Sequence, residues 1–139
     1  MADTGYNWGA YAFLTYSTGT DIDAIDVNDE ATLTSDAVDL DGKAACEISV
    51  EWVEDNDGAC DGKVLVYVLG ADGDGDYETI DDTPALGGVI AAEQNTTRYK
   101  RFNVDPALFG TFKILVDNDS GQDGDLSIWI RTATIPAAS

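Results

Sequence analysis

The chain has 139 residues, 27 acids against seven bases, no histidine and two cysteines, for a formal net charge of −20. Without histidine there is no Ser–His or Cys–His nucleophile pair, and two thiols fall short of a closed zinc site. A surface this negative repels nucleic-acid phosphates instead of displacing their counterions.

The length suits one domain with a proper core. Leu, Ile, Val and Phe together number 32, about 23% of the chain, above the roughly 20% below which highly charged chains stay disordered. Three tryptophans and six tyrosines add bulk that disordered acidic segments lack. The first 70 residues hold 15 acids and two bases, the remaining 69 hold 12 and five, and no base precedes Lys43. The start, MADT, lacks a basic region and no apolar core follows it, so the sequence predicts no signal peptide. No apolar run approaches the 18 residues or so of a membrane span. The expectation is a soluble protein made in a cytoplasm, with no membrane partner.

Taken in chain order, residues 1–9 (MADTGYNWG) read as an arm outside the domain, and residues 10–139 as the domain itself. Residues 10–16 predict a strand, and residues 31–40 one or two more. Residues 44–53 (AACEISVEWV) alternate strictly. Ala44, Cys46, Ile48, Val50 and Trp52 share one face, while Glu47, Ser49 and Glu51 point the other way, as in a half-buried antiparallel strand.

Residues 63–69 (KVLVYVL) are apolar on both faces and rich in β-branched side chains, which predicts a central strand. The turn-rich EDNDGACDG between these two strands predicts a hairpin. Residues 88–92 predict a short strand and 97–104 a stronger one. In 111–117, Phe112, Ile114 and Val116 share a side; in 126–135, Leu126, Ile128 and Ile130 do, opposite Trp129 and Arg131. Residues 105–110 (DPALFG) suit one turn capped by Asp105. Seven or eight short strands with Gly/Asp/Asn turns and no sustained helical period predict an all-β fold, a single antiparallel β-sandwich or jelly roll.

The hairpin register bears on Cys46 and Cys60. It would place Cys46 opposite residue 68 or 69 and Cys60 by the turn, about 30 Å away along the ladder. A disulfide needs Cα atoms within about 7 Å. Two thiols outside any disulfide are expected.

Acids concentrate in three loops: 55–61 (DNDGACD), 72–78 (DGDGDYE) and 117–125 (DNDSGQDGD). The second has calcium-like spacing, with Asp72, Asp74 and Asp76 at alternating positions and Glu78 beyond. Tyr77 stands where an EF-hand loop needs glycine, Thr83 where it needs glutamate, and no helices flank it. A solvated turn in which Asp caps its own backbone explains the same residues.

Any two of 27 carboxylates can be nominated as an acid/base pair, and no Gly-rich loop precedes a lysine to cradle phosphate, so no enzymatic role is expected. The one basic cluster is Arg98, Lys100 and Arg101, with Arg98 and Lys100 on one face of a strand and Arg101 opposite with Tyr99. These cations suit neutralising nearby carboxylates, or contacting an acidic neighbour. Tyr6, Trp8, Tyr11 and Phe13 enrich the N-terminus in aromatics flanked by glycine, as the first strand entering the core or as an anchor that docks on a partner.

The run VYVLGADGDGDYE, TPALGGVI, TTRYKRF and FGTFKILVDNDSGQ, followed by a closing strand, resembles small virion proteins of tailed bacteriophages. The matching elements are residues 67–69, the Gly/Asp loop with its aromatic at 72–77, Thr97-Arg98, the Phe-Lys-Ile strand at 112–116 and the Asn-x-Ser-Gly-Gln turn at 118–122. The resemblance covers residues 44–135 and implies a structural β-sandwich that coats, cements or extends a particle, without catalytic residues.

The expected function is therefore a virion structural protein, foremost a capsid decoration or cement protein, with a tail component as the other location. It would be synthesised in the host cytoplasm and would form homo-oligomers on the particle against the major capsid protein or other virion proteins. Tyr6 and Trp8 would anchor it, with Arg98, Lys100 and Arg101 as secondary contacts. The alternatives are a carbohydrate-binding sandwich using Trp129 or Trp52 as a stacking platform, and an acidic inhibitor mimicking DNA.

Overall fold

A computed structural model describes residues 5–54, 58, 60 and 62–136. Seven short strands come first: β1 (Asn7–Trp8), β2 (Ala12–Phe13), β3 (Thr15–Tyr16), β4 (Thr20–Asp21), β5 (Ile25–Val27), β6 (Thr32–Thr34) and β7 (Val38–Asp39). Six longer ones follow: β8 (Ala45–Glu54), β9 (Lys63–Gly70), β10 (Ala85–Ala91), β11 (Thr96–Asn103), β12 (Thr111–Asp119) and β13 (Gly124–Thr134). The first sheet runs β1-β13-β8-β11, with β2 and β5 also on β13; the second runs β10-β9-β12-β6, with β7 also on β12. All these pairings are antiparallel. The chain is an all-β antiparallel sandwich.

Period-two patterning builds the core. Cys46, Ile48, Val50 and Trp52 of β8, with Leu126 and Ile128 of β13, meet Val64, Val66 and Val68 of β9 and Phe112, Ile114 and Val116 of β12. That face-to-face contact corrects the expected hairpin. β8 pairs with β11 and β13, while β9 pairs with β10 and β12, so the two strands lie in different sheets. Both carry an apolar face, and stacking those faces removes more apolar surface from water than edge pairing would.

Cys46 and Cys60 form no disulfide, although the register expected to separate them does not exist. Cys46 sits inside the sandwich, while Cys60 follows the far end of β8. Burial, reinforced by the Glu47 charge, pushes the Cys46 thiol up to about 12. In native protein at pH 8, Cys46 is expected to resist an alkylating reagent and to label only on unfolding, since the thiolate is the nucleophile. Peptide mapping by mass spectrometry checks this.

The N-terminal third departs furthest from expectation. The strand expected over residues 10–16 is split at Leu14, whose amide bonds Ile128 O and whose side chain enters the core. Residues 7–8, expected in a free arm, pair as an edge strand with Thr134 and Ala133. At the opposite edge the close approach of Gly87 and Gly88 to β11 explains their identity. A Cβ at Gly87 would lie 2.7 Å from the Phe102 ring, and one at Gly88 would lie 2.6 Å from Lys100 Cγ.

Candidate functional site

The outward face of the first sheet gathers aromatics that are far apart in sequence. On β8 and β13 the positions facing away from the core are Glu47 opposite Arg131, Ser49 opposite Trp129, and Glu51 opposite Ser127. β11 adds Arg101 beside Ser49 and Tyr99 beside Glu51. β1 sets Trp8 opposite the small Ala133, and β2 sets Phe13 opposite Trp129.

Arg131 is the hub. Its guanidinium lies 4.3 Å from the Trp8 ring centroid and 4.8 Å from that of Tyr11, within the range of cation–π attraction. Arg131 Nη2 donates to Glu47 Oε2 at 2.9 Å, the Tyr11 hydroxyl donates to Glu47 Oε1, and Arg101 Nη1 stands 4.0 Å from the same oxygen. Phe13 and Trp129 stack with centroids 5.2 Å apart, and Tyr6 meets Trp8 edge-on at 6.3 Å. Tyr11, Ser49, Tyr99, Arg101 and Trp129 line an open cleft of about 380 Å³. Tyr99 is 66% exposed, Tyr6 52% and Trp8 37%, more apolar ring than an acidic surface needs for its own folding.

The Tyr11 hydroxyl, and after it Arg131, hold the Glu47 carboxyl below the ordinary glutamate range, while the same bond pushes the Tyr11 phenol up. A depressed carboxylate contributes stability that is present above its unfolded value of about 4.3 and is lost as pH falls through the lower folded value. Wild-type melting temperature is therefore expected to drop on acidification through that window. E47Q, which costs about 1 kcal/mol at neutral pH through weakened hydrogen bonds, should lose that part of the acid dependence. Thermal melts of both proteins across the acidic range check the sign.

The sequence-nominated residues divide. Tyr6, Trp8 and Arg101 come together on this face. Arg98 and Lys100 lie on the opposite face of β11, opposite the core residues Trp52 and Val50, and Arg98 pairs with Glu93 at 2.6 Å. Trp52, offered as a stacking platform, is entirely buried and is corrected to a core residue. Trp129 is half-buried at the cleft. Arg131, Glu47 and Tyr99 were not nominated. Their signal was alternation alone, which set them opposite the core positions of their strands.

The acids at 72–78 cap their own loop. Asp72 Oδ1 accepts the Asp74 and Asp76 amides at 2.8 and 3.0 Å, and Glu78 Oε1 accepts the Gly70 amide at 2.8 Å. Among the described residues no group of three or more acids or thiols converges to hold a metal ion. The acidic loop at 55–61 lies outside the described residues apart from positions 58 and 60.

No family model and no curated protein matches the chain. Among solved structures, the chain superposes over its whole length on 11% of tripeptidyl peptidase 2, with TM-score 0.54 and 12% identity. The CBM36-1 domain of a multidomain xylanase from the hindgut metagenome of Trinervitermes trinervoides gives TM-score 0.47 and 11% identity, over 96% of this chain and 92% of that one. The C-terminal CBM6 of LamC, a marine laminarinase from Zobellia galactanivorans, gives 0.44 and 17%, over 92% and 91%. At such identities the likeness is one of fold: the chain is a β-sandwich of a widely used architecture.

Proposed function

We propose that the chain is a non-enzymatic structural component of a phage virion, foremost a capsid decoration or cement protein that docks on the particle and bridges neighbouring subunits. The observation that carries the reading is the outward face of the first sheet, where Tyr6, Trp8 and Tyr11 cluster with Arg131 on a chain of net charge −20. Trp, Tyr and Arg are the residues that dominate binding energy at protein interfaces. The order of strands and turns from residue 44 to 135 supports the phage assignment by its resemblance to small virion proteins. The acidic loops keep the protein away from packaged nucleic acid, and weak single contacts suffice where many copies bind one lattice.

The partner in this reading is the major capsid protein or another virion protein, a tail ring being the other location. The role requires no cofactor. Purified virions should contain the chain at a copy number near that of the major capsid protein, and its absence from virions would sink the reading. W8A should weaken re-attachment to particles stripped of the protein by about tenfold to a hundredfold, as truncation of an interface anchor does. A pull-down titration reads that loss.

A second reading rests on the cleft itself. Trp129, Tyr11 and Tyr99 present ring surface beside the Ser49 hydroxyl and the Arg101 guanidinium, a combination suited to stacking and hydrogen-bonding a saccharide. It requires glycan-dependent quenching of tryptophan fluorescence that W129A abolishes, whereas virion docking requires none.

A further inference from the structure

The outward face of the second sheet is apolar as well. On β9 the residues turned away from the core are Leu65, Tyr67 and Leu69, and the pairing sets Leu86 and Leu115 on either side of Tyr67, with Val89 beside Leu65. Leu69 and Leu115 are buried yet stand outside the core cluster, so this face has an apolar layer of its own. Leu86 and Val89 complete it at 54% and 38% exposure. A sheet needs one apolar face to build a sandwich, and a second is otherwise found where something packs on it.

Two charges of β12 are placed symmetrically about Leu115. On β12, Lys113 lies two residues before Leu115 and Asp117 two residues after it, all three facing outward. Lys113 and Asp117 are about 13 Å apart along the strand, too far to pair with each other. Lys113 Nζ rests 4.5 Å from the Tyr77 ring centroid and near enough to Asp36 to help hold that carboxyl below its ordinary range, while the Asp117 side chain has no hydrogen bond or ion pair among the described residues. Burial and the nearby Asp119 push the Asp117 carboxyl up, as expected of an acid without a cation beside it.

We propose that this face is an isologous interface between two copies of the chain, with the two-fold axis passing over Leu115 and each Lys113 set against Asp117 of the second copy. A two-fold interface must be self-complementary, and a cation and an anion equidistant from Leu115 satisfy that requirement. Leu86 and Val89, with the half-buried Leu65 and Tyr67, supply the apolar contact surface over the buried Leu115. The outward charges of β9, β10 and β12 are Lys63, Lys113, Asp117 and Asp119, which sum to zero. β7 adds Asp39 beside Thr111, so this face carries a net charge of about −1 on a chain of charge −20. The face lies on the opposite side of the sandwich from the Trp8–Arg131 cluster, so pairing leaves that cluster open.

Sedimentation velocity from about 1 to about 200 µM protein should show a monomer–dimer equilibrium. K113D and D117K should each weaken it by about tenfold or more, because each sets like charges against one another across the axis. The double variant K113D/D117K exchanges the charges and should restore dimerisation to within about threefold of wild type. L115E should abolish it; both charge positions are outside the core, so the swap decides the matter even if L115E fails to fold. A wild-type chain monomeric throughout the range, or a double variant as weak as the single ones, overturns the proposal.

Discussion

Replacing Trp52 by alanine is expected to lower the unfolding free energy by about 4–5 kcal/mol, a large part of the 5–15 kcal/mol typical of a whole domain. Trp52 is the largest entirely buried side chain, and its indole Nε1 donates to Glu54 Oε2 at 2.7 Å. Alanine leaves a cavity and also strips the buried Glu54 carboxyl group of that donor, when Glu54 Oε1 has no hydrogen-bond partner among the described residues. W52F separates the two effects. It refills most of the volume and loses the hydrogen bond, so it should cost about 1–3 kcal/mol. The site is tight from the other side as well, since a Cβ at Gly124 would lie 2.3 Å from Trp52 Cζ2. G124A should therefore also destabilise, by overpacking. Urea unfolding of the three variants gives the ranking, and a W52A midpoint near wild type would contradict this account of the core.

Asn118→Ala is expected to cost about 3–4 kcal/mol, although it removes no large apolar group. Asn118 is entirely buried. Its Nδ2 donates to Val27 O and Gln122 O at 3.0 and 2.8 Å, and its Oδ1 accepts from Ser120 N and Ser120 Oγ at 3.1 and 2.7 Å. One side chain thus closes the 118–122 turn and ties it to β5. Alanine leaves Val27 O and Ser120 N without these partners inside the protein, where the loss of water is not made good. N118D should be no better, because it places a carboxylate against two carbonyl oxygens. The readouts are thermal unfolding, with a fall of about 10 °C for a domain of this size, and faster amide exchange at 120–122. The role of this turn in the chain is structural.

Where the sequence was readable, the signal was local. In residues 44–53 and 126–130 every second side chain is apolar, and pleating alone sends those side chains to one face. Core positions such as Ile48, Val50, Leu126 and Ile128 could therefore be named before any tertiary contact was known. Residues 63–69, apolar on both sides, correctly announced a strand with neighbours on each edge: β9 lies between β10 and β12. The short strands β1, β4 and β5 gave no such signal. Two or three residues cannot establish a period, and these strands are held by pairing with β13 or with β3.

The hairpin assigned to 44–53 and 63–69 shows the limit. Turn chemistry indicates that the chain reverses, but not whether the returning strand joins the same sheet or the facing one. That choice follows from which apolar faces bury each other, a long-range competition invisible in a short window. The candidate site has the same character. The aromatic N-terminus was legible as an unusual run, but Arg131 and Glu47 joined it only through the register of β13 on β8 and the docking of residues 7–13 on β13.

The composition disposed of histidine-based catalysis and indicated a folded, acidic chain, and the local period indicated an all-β one, because such properties depend on residue identities and their spacing along the chain. The tertiary structure decided which strands share a sheet, gave Trp52 to the core and Trp129 to the surface, and set Leu86 and Leu115 on either side of Tyr67 on an outward face. These outcomes depend on pairing between distant segments, and the free energy that selects it belongs to the assembled sandwich rather than to any single strand.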